Sequence, residues 1–477
     1  MTSVSTVAGA RSAPALLAVL VPAVLVTVVA SDMVTLMLPT MGTAFGAGEP
    51  ELAWVVTGFL LTFSVGIPFY GRVSDRFSLR GLFVFALLVY ALGTLVCALA
   101  ASLLVLVTGR VVAGMGAAGL PVLSVVAVTR TLPEGKRGMG IGVVSAGAGI
   151  GAAAGPAIGG GAGQLLGWPA LFWIMFVAAL SLLPAAWKVL PGERPAGAGG
   201  FDMLGGILLG AGAGLALFGM TRAQVAGFAD PAAWTSLVSA VAAFVLFGFR
   251  TARAAKPFIP LSLLRDRVYR IALVVVFLAM MVNLGGLVFV PLLVVEVNGL
   301  TPGAGALVMI PAGIVAAVLA PAIGRAADRF GARPLVLTGL ALITGSALAL
   351  STFAGGSSVV PAGAGMAGIG LGFLLVLTPL IGAVAGVLPA GQAGAGIGIL
   401  QGAQFLGAGT GPAVFGVLAA ARADADAFNP LYSASEGQAY SDVFLVMAAI
   451  GGVALLIASG LQRSARLRRR PRSPASP

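Results

Sequence analysis

The sequence predicts an all-α protein that crosses a membrane many times, and three features of its composition carry this prediction. Hydrophobic residues make up 59% of the 477 residues, charged residues only 9%, and the mean hydropathy is +1.07. A soluble domain has about 25% charged residues, so no soluble fold of this length could bury so much apolar surface. The 70 glycines agree, because transmembrane helices use glycine where two helices approach closely.

Fourteen stretches are long and apolar enough to cross a bilayer, which takes about 20 residues. Most are separated by turn or charge signals, for example between Leu132 and Arg137. The stretch that begins near Ala13 is interpreted as the first span, because a signal peptide has a shorter apolar core of about 7–15 residues. The predicted spans are 14–38, 52–72, 81–101, 103–125, 139–163, 169–190, 203–222, 232–251, 269–295, 303–323, 334–354, 359–388, 393–421 and 442–461.

Lysine and arginine lie almost entirely on one side of these spans. If the N-terminus is cytoplasmic, only Arg222 and Arg422 of the 27 basic residues fall outside, and Arg110 falls within a span. Cytoplasmic loops carry such an excess of basic residues, so both termini are predicted to be cytoplasmic. The basic tail would then contact anionic lipid headgroups. The net charge of +12 follows from this topology, and no nucleic-acid partner is expected.

Two local patterns recur in the second part of the chain. The string from Gly71 to Phe77 follows the second span, and the string from Gly324 to Phe330 follows the tenth, 253 residues later. A Gly-Pro pair at Gly155 in the fifth span recurs at Gly411 in the thirteenth, 256 residues later. Chance recurrence in a glycine-rich chain is the alternative, but two motifs at nearly equal offsets on matching spans favour a true repeat.

The repeat predicts the domain organisation. Spans 1–6 and 9–14 are expected to be two copies of one six-helix unit, with spans 7 and 8 inserted between them. Two such halves can rock about a site between them, which is the usual design for alternating access. The predicted domains are 1–190 for an N-terminal six-helix bundle, 191–256 for the inserted helices with a flanking loop, 257–462 for a C-terminal six-helix bundle and 463–477 for a basic cytoplasmic tail.

Each copy of the repeated string places an aspartate between arginines at the predicted cytoplasmic end of a helix. We expect Asp75 and Asp328 to form charge clasps, aided by helix ends, that hold one conformation and are released in the other. Ordinary anchoring by positive charge is the alternative, although the recurrence of the whole string argues against it. The predicted switch residues are Gly71, Arg72, Asp75, Arg76, Gly324, Arg325, Asp328 and Arg329.

Only Asp32 and Arg110 place a charge well inside a predicted span, where a charge is costly and therefore indicates a function. Both are expected about 10–12 Å below the outer edge, at 1.5 Å per helical residue. A substrate that competes for Arg110 would let the Asp32 carboxylate take up a proton. The alternative is a static pair that fixes helix packing. Glu296, at the end of the ninth span, is a third candidate for proton coupling, or it simply faces water.

Amide side chains inside the spans are candidates for lining a substrate cavity. Hydrogen bonding between helices is an equally good explanation for them. The lining candidates are Asn283, Phe289, Gln401 and Gln404, with Phe277, Phe373 and Phe405 as further guesses for the apolar wall.

A stripe of glycines spaced by four residues runs along the fifth span. Such a stripe lets a neighbouring helix approach closely, and Pro156 should bend the helix there. The stripe is interpreted either as tight packing or as a pivot that seals the protein against leakage. Its members are Gly147, Gly151, Gly155, Gly159 and Gly163.

These segments, in their order along the chain, resemble the motifs of the major facilitator superfamily, specifically its fourteen-helix drug:proton antiporters. The resemblance covers nearly the whole chain. It implies the fold of that family, a part for Arg110 in proton coupling, and an antiporter motif in the glycine stripe. The matching segments are Asp32 to Pro39, Gly71 to Arg80 with its second copy Gly324 to Arg333, Arg110 with Gly114 to Gly116, Gly147 to Gly160, Phe201 to Gly205 and Pro257 to Leu264.

Several positions depart from the pattern of that family. Ser78 stands where the loop motif usually has glycine and Gly81 where a basic residue is common, which could loosen the first clasp. Glu296 stands where glutamine is common, and it could add a titratable site or favour a cationic substrate. Ala113 replaces a usual glutamine, and Trp168 to Ala170 lacks an arginine usual near the start of the sixth helix.

The leading hypothesis is a proton-coupled transporter that exports amphipathic or cationic drugs or antibiotic-like metabolites. The alternative is an uptake or exchange carrier for a small nutrient or metabolite, which would need more fixed polar groups in the core.

An enzyme is not expected, because the chain has no histidine, no clustered acids and no Gly-rich ATP-binding loop. No metal or other cofactor is expected, and the proton gradient would supply the energy. The predicted partners are a small-molecule substrate and the lipid bilayer, for a monomer in the cytoplasmic membrane of the cell.

Overall fold

The computed structural model describes residues 13–193, 202–227, 229–254, 256–300, 308–355, 358–423, 425–432, 434 and 436–463, and every regular element in these ranges is a helix. The α-helices are α1 (Ala13–Asp32), α2 (Leu38–Phe45), α3 (Glu49–Ser74), α4 (Leu79–Ala98), α5 (Leu103–Ala117), α6 (Gly119–Thr131), α7 (Glu134–Leu166), α8 (Trp168–Val189), α9 (Met203–Ala226), α10 (Pro231–Arg253), α11 (Leu261–Arg265), α12 (Arg267–Glu296), α13 (Ile310–Phe330), α14 (Ala332–Phe353), α15 (Val360–Val387), α16 (Ala393–Ala421) and α17 (Gln438–Ser459). Three short 3-10 helices are Thr35–Met37, Ala390–Gln392 and Gly460–Arg463.

Within the described residues, twelve helical segments are long and apolar enough to cross a membrane. One of them, Leu103–Thr131, comprises α5 and α6. The fifth and tenth predicted spans coincide with α7 and α13, which are 33 and 21 residues long and whose side chains are described only in part. Each predicted stretch therefore overlaps a helix, although residues 303–307 of the tenth stretch lie outside the described ranges. The number of fourteen membrane crossings stays a prediction.

The first predicted span ends earlier than expected. α1 ends at Asp32, and the chain continues through a 3-10 turn into the short helix α2. Pro39 lies in the first turn of α2. Proline suits that position because its missing N–H has no intrahelical acceptor there, whereas within a continuous helix it would remove a hydrogen bond. The apolar run therefore forms two helices although its hydropathy predicts one.

Helix packing follows the repeat that the sequence predicts. In the first half, α1 packs on α7, and α4 packs on α5 and α8. In the second half, α12 packs on α16, and α14 packs on α15 and α17 in the same way. The corresponding helices of the two halves thus have corresponding neighbours. The domain boundaries drawn from the sequence stay a prediction, and residues 464–477 of the basic tail lie outside the described ranges.

The two halves meet along two helix pairs, which we name the first seam (α3 with α16) and the second seam (α7 with α13). A Cβ atom added to Gly71 would lie 2.5 Å from the carbonyl oxygen of Gly394. A Cβ atom added to Gly138 would lie 2.5 Å from the carbonyl oxygen of Gly324. Real Cβ atoms do not approach so closely, so both seams are backbone-to-backbone contacts that only glycine permits.

The inserted hairpin of α9 and α10 lies against both helices of the first seam. Trp54 of α3 stacks on Phe218 of α9, with ring centroids 5.6 Å apart. Arg250 near the end of α10 pairs with Asp202 just before α9 (Nε to Oδ1, 3.0 Å), which ties the two ends of the hairpin together. Phe258, in the segment that follows, packs on Phe69 of α3 at 5.3 Å. The insertion thus covers the first seam.

The glycine contacts of the second seam can be tested on one helix. Gly142→Ala would place a methyl group against the carbonyl oxygen of Ala320. We expect this overpacking to cost about 1–3 kcal/mol and to lower the midpoint of thermal unfolding in detergent. Gly161→Ala, at an exposed position of α7 with no atom within 4 Å of the new Cβ, is the matched control. Equal midpoints for the two variants would contradict the importance of the seam.

Candidate functional site

The first clasp joins the two halves through Asp75, the residue after α3. Its carboxylate is buried and accepts hydrogen bonds from the backbone N–H groups of Gly394 (2.8 Å) and Ala395 (2.9 Å). These are the second and third residues of α16, whose N–H groups have no acceptor within their own helix. An aspartate of one half therefore caps a helix of the other half, where the helix dipole favours negative charge.

Two arginines of the first half complete this clasp. Arg130 at the end of α6 donates from Nη2 to Asp75 Oδ1 (2.9 Å) and from Nη1 to the carbonyl oxygen of Ser74 (2.8 Å). Arg72 Nη1 lies 3.9 Å from Asp75 Oδ2. Burial raises the pKa of Asp75 above its ordinary value, and the two backbone hydrogen bonds and both guanidinium charges oppose that rise. The charged carboxylate thus depends on partners from both halves.

The second clasp repeats the first at Asp328, near the end of α13. Asp328 Oδ1 accepts a hydrogen bond from Gly138 N (2.8 Å) and Oδ2 one from Met139 N (2.9 Å). The two segments that donate these hydrogen bonds also form a repeat, which the predicted repeats did not include. The string Gly-Met-Gly-Ile-Gly at 138–142 matches Gly-Ala-Gly-Ile-Gly at 394–398, at the same offset of 256 residues as the Gly-Pro pair. The shared offset of 256 residues is the feature of the sequence from which this repeat can be recognised.

The two clasps differ in their charges. At the 256-residue offset, the position equivalent to Arg130 is Gly386, where an added Cβ would have no atom within 4 Å. Asp328 forms no ion pair among the residues that the structure describes. A cavity of about 300 Å³ lies beside it, with Arg137 and Gly386 in its wall. The second clasp therefore consists of two amide hydrogen bonds without the supporting arginine.

The remaining predicted switch residues divide between the seams and the surface. Gly71 and Gly324 form the close backbone contacts described above, and Arg76 lines a cavity beside the first clasp. Arg325 donates to Pro321 within its own helix, and Arg329 lies over the Phe330 ring at 5.2 Å. Arg130, which supports Asp75 directly, carried no prediction beyond its cytoplasmic placement.

Arg110 is the largest fully buried side chain among the described residues. Its Nε donates to the carbonyl oxygen of Val55 in α3 (2.8 Å), and Nη1 donates to that of Ala30 in α1 (3.0 Å). Its guanidinium carbon lies 4.2 Å from the centroid of the Phe59 ring, a favourable cation–π distance. A positive charge is thus held where three helices of the first half meet.

Arg110 therefore reaches α1 two residues before Asp32. The Asp32 side chain lies outside the described part of the structure, so a contact between the two charges stays a prediction. Glu296 is exposed at the end of α12, where the Tyr440 hydroxyl donates to its carboxylate. The structure thus brings Arg110 to the turn that contains Asp32 and places Glu296 at the surface of the second half.

The predicted lining residues occupy different environments. Gln401 of α16 is buried, and no described residue donates to its Oε1 atom. Phe405, one turn further along, meets Phe63 of the first half edge to face at 5.0 Å. Phe289 is buried in the second half against Phe415, with ring centroids 6.4 Å apart. Asn283 and Gln404 are half-buried.

The glycine stripe of the fifth predicted span lies against α1. Added Cβ atoms at Gly147 and Gly151 would lie 2.9 Å from atoms of Val21 and Leu25. Further along α7, Gly159 approaches the backbone of Met33. Gly155 belongs to the same helix, and the side chain of Pro156 lies outside the described residues. The stripe thus packs within the first half, while Gly138 and Gly142 of the same helix face the second.

Comparisons of the sequence with known proteins agree with this geometry. The family model described as Major Facilitator Superfamily matches residues 20–412. The chain is 30% identical over 413 residues to the tetracenomycin C resistance and export protein of Streptomyces glaucescens, covering 86% of this chain and 77% of that protein. It is 29% identical over 394 residues to the multidrug resistance protein Stp of Mycobacterium tuberculosis, covering 82% and 72%.

Solved structures show the same fold. The human organic anion transporter MFSD10 superposes with a TM-score of 0.67 at 17% identity, covering 94% of this chain and 99% of that chain. FucP in its outward conformation superposes with a TM-score of 0.66 at 14% identity, covering 96% and 100%. The predicted fold is thereby confirmed. The chain belongs to the major facilitator superfamily and is a multi-pass membrane transporter rather than an enzyme.

Proposed function

We propose that this protein is a proton-coupled exporter of amphipathic or cationic drugs, or of antibiotic-like metabolites, that works by alternating access. The observation that carries this proposal is the pair of clasps, in which each half caps a helix of the other at one face. Relatives named for resistance and export of antibiotics support the substrate class and the direction.

The clasps are reversible locks of the kind that alternating access requires. Both lie at the predicted cytoplasmic ends of their helices, so the described conformation is closed toward the cytoplasm. Each hydrogen bond to a carboxylate contributes about 1.5–3 kcal/mol, and four of them must break together for this face to open. Substrate or proton must favour the opened state by a comparable amount, because a ligand shifts an equilibrium only through its differential affinity.

Proton coupling is assigned to Asp32 and Arg110 in the first half. The guanidinium group of Arg110 is a fixed, buried positive charge beside the end of α1. A carboxylate in that field exchanges its proton when another group competes for the arginine. Glu296 is the second candidate, as an exposed carboxylate held by Tyr440.

The membrane orientation is part of the same proposal. Both termini face the cytoplasm of a cell whose cytoplasmic membrane carries a proton gradient, and the chain works as a monomer surrounded by lipid. The segregation of basic residues supports this orientation. The alternative of an uptake or exchange carrier is distinguished from export by the direction of proton movement.

Asp32→Asn should abolish proton release driven by substrate. We would energise everted membrane vesicles to be acid inside, add amphipathic cations, and follow release with a pH-sensitive dye. The native protein should release protons and the variant should not, because an amide cannot carry the proton. Asp426→Asn, an exposed acid on the predicted outer side, is the matched control and should behave as the native chain.

Two results would change this assignment. Release that persists in Asp32→Asn but is lost in Glu296→Gln would move the coupling to Glu296. An absence of release from the native protein with every cation would favour the uptake carrier, since a symporter facing this gradient releases no protons in response to external substrate.

The two clasps should differ in their importance for transport. Asp75→Asn leaves the largely buried Arg130 without its carboxylate, and an unpaired buried charge is costly. We expect export of a fluorescent amphipathic cation to slow by at least about tenfold, or about 1.4 kcal/mol. Asp328→Asn should slow export less, because Asp328 forms no ion pair among the described residues. The measurement is the initial rate of export for each variant, normalised to the amount of protein in the vesicles. Equal reductions of the rate in Asp75→Asn and Asp328→Asn would contradict the proposed difference between the two clasps.

The missing arginine of the second clasp can be installed. Gly386→Arg should raise the midpoint of thermal unfolding, because the new guanidinium group enters the cavity beside Asp328. Gly386→Gln is the matched control, since glutamine and arginine have similar helix propensity and only arginine carries the charge. A midpoint no higher for the arginine variant than for the glutamine variant would contradict the equivalence of the two clasps.

A further inference from the structure

The first clasp shows how a guanidinium group completes such a joint. Arg130 donates from Nη2 to Asp75 Oδ1 (2.9 Å) and from Nη1 to the carbonyl oxygen of Ser74 (2.8 Å). The same carboxylate oxygen accepts the backbone N–H of Gly394 (2.8 Å) from the other half. One planar cation thus bridges an aspartate and the carbonyl oxygen of the residue before it, which suits the rigid fork of donors that a guanidinium group presents.

The second clasp has the same two acceptors. Among the described residues, Asp328 Oδ1 accepts one hydrogen bond, from the N–H of Gly138 (2.8 Å), and a carboxylate oxygen can accept a second. The residue before it is Ala327, the counterpart of Ser74, whose carbonyl oxygen accepts from the N–H of Gly331 (3.0 Å) and has a second lone pair. Asp328 and Ala327 both line the cavity beside this clasp. The cavity is therefore bordered by the two residues whose counterparts hold the guanidinium group of the first clasp.

Small side chains of α15 leave room for such a group. Gly382, Ala383 and Gly386 line the cavity, and a Cβ atom added to either glycine would have no atom within 4 Å. Gly386 stands at the position that corresponds to Arg130. The cavity volume of about 300 Å³ is at the lower end of the range for small-molecule sites. It accommodates a guanidinium group with a short alkyl chain.

The charge of the site permits a bound cation. Asp328 and Arg137 are the charged residues that line the cavity, and Nε of Arg137 donates to a backbone carbonyl oxygen (3.1 Å). The two charges cancel, so a bound cation would give a total of +1. Asp75 with its two ion-paired arginines has the same total. A cation would thus bring the second clasp to the charge that the ion-paired group of the first clasp already carries.

We propose that the cavity beside Asp328 binds a guanidinium-type cation, which bridges the Asp328 carboxylate and the carbonyl oxygen of Ala327 and strengthens the second clasp. Arg137 and Gly138 of the first half form one wall and the second half forms the rest, so the site is complete only when the seam is closed. The cation therefore binds the closed state more tightly than the open one. At ten times its dissociation constant, such a ligand shifts the equilibrium about tenfold. This regulation rests on the alternating access proposed above.

Two sources can supply the guanidinium group, a soluble compound in the cytoplasm or the basic tail of this chain. Ser351 near the end of α14 lies 3.2 Å from Ser441 near the start of α17, and Thr344 meets Gly451 at mid-helix. The two helices are therefore antiparallel, and α17 ends beside the start of α14, where Ala332 lines the cavity. The tail that follows lies outside the described ranges, and its arginines are Arg466, Arg468, Arg469, Arg470 and Arg472.

The test follows opening of the full-length protein by spin-label distances. Labels at Thr131→Cys, at the end of α6, and Phe330→Cys, at the end of α13, report across the halves in a Cys97→Ala background. Both positions are exposed and neither lines the cavity. The protein in phosphatidylcholine nanodiscs is titrated with methylguanidinium chloride, with potassium chloride at matched ionic strength as the reference. Each variant is measured with the native tail and with the five tail arginines replaced by glutamine.

At ten times its dissociation constant, methylguanidinium should raise the ratio of closed to open protein about tenfold. A response with the native tail identifies a soluble cation as the natural ligand. A response only after the tail arginines are replaced identifies the tail, which then occupies the site in the native chain.

Variants of the site separate this binding from a general effect of the salt. Asp328→Asn should lose the response, because it removes the charge that the cation pairs with. Gly386→Arg should be closed without any ligand and should also not respond, because its own guanidinium group fills the cavity. Asp426→Asn, an exposed acid at the other end of the second half, is the matched control and should respond as the native chain does.

Three results would overturn the proposal. These are no response to methylguanidinium with either tail, a response of full size in Asp328→Asn or in Gly386→Arg, and an equal response to potassium chloride. Because the labels report opening without transport, each of these results leaves the export function standing. A single distance population under all conditions and in all variants would instead count against alternating access itself, and against the cation site with it.

Discussion

Close backbone approach between the two halves is the constraint on which the closed face depends. An aspartate side chain is short, so Asp75 and Asp328 reach N–H groups of the opposite half only where the helices touch without side chains between them. Glycine at both seams provides that approach, and a single Cβ atom at Gly71 or Gly138 would meet a carbonyl oxygen at 2.5 Å. The clasps, the seams and the cavities beside them all follow from this contact.

The two seams are equivalent in backbone geometry and different in charge. Asp75 is supported by Arg130 and Arg72, and the inserted hairpin covers the helices that carry it. Asp328 has the same pair of backbone hydrogen bonds but an open cavity where the arginine would lie. The internal repeat gives the two seams the same backbone contacts, and Gly386 stands at the position that corresponds to Arg130. The proposed difference between the two clasps in transport follows from this difference in charge.

Within the first half, Arg110 places a buried positive charge between α1 and α3. A buried guanidinium group needs its donors satisfied, and here backbone carbonyl oxygens of α1 and α3 accept from it while the Phe59 ring lies against its face. These contacts hold the guanidinium group of Arg110 in place beside the end of α1. A buried positive charge at this position supports the proposed coupling with Asp32.

The sequence alone determined the class of the protein, because hydropathy, the one-sided basic residues and the repeated strings are periodic features that need no tertiary contact to be recognised. It also marked Asp75 and Asp328 as candidate switch residues through the repeated string, and Asp32 and Arg110 as candidate coupling residues because a charge within a span is costly. Only the tertiary structure decided what Asp75, Asp328 and Arg110 contact. The partners of the two switch aspartates are backbone N–H groups of Gly394, Gly138 and their neighbours, and an N–H group is common to nearly every residue type. Arg130 likewise looks like any cytoplasmic arginine until the fold brings it to Asp75. The sequence shows which side chains are charged or small. The contacts between the two halves depend on where their helices cross, and only the tertiary structure determines that.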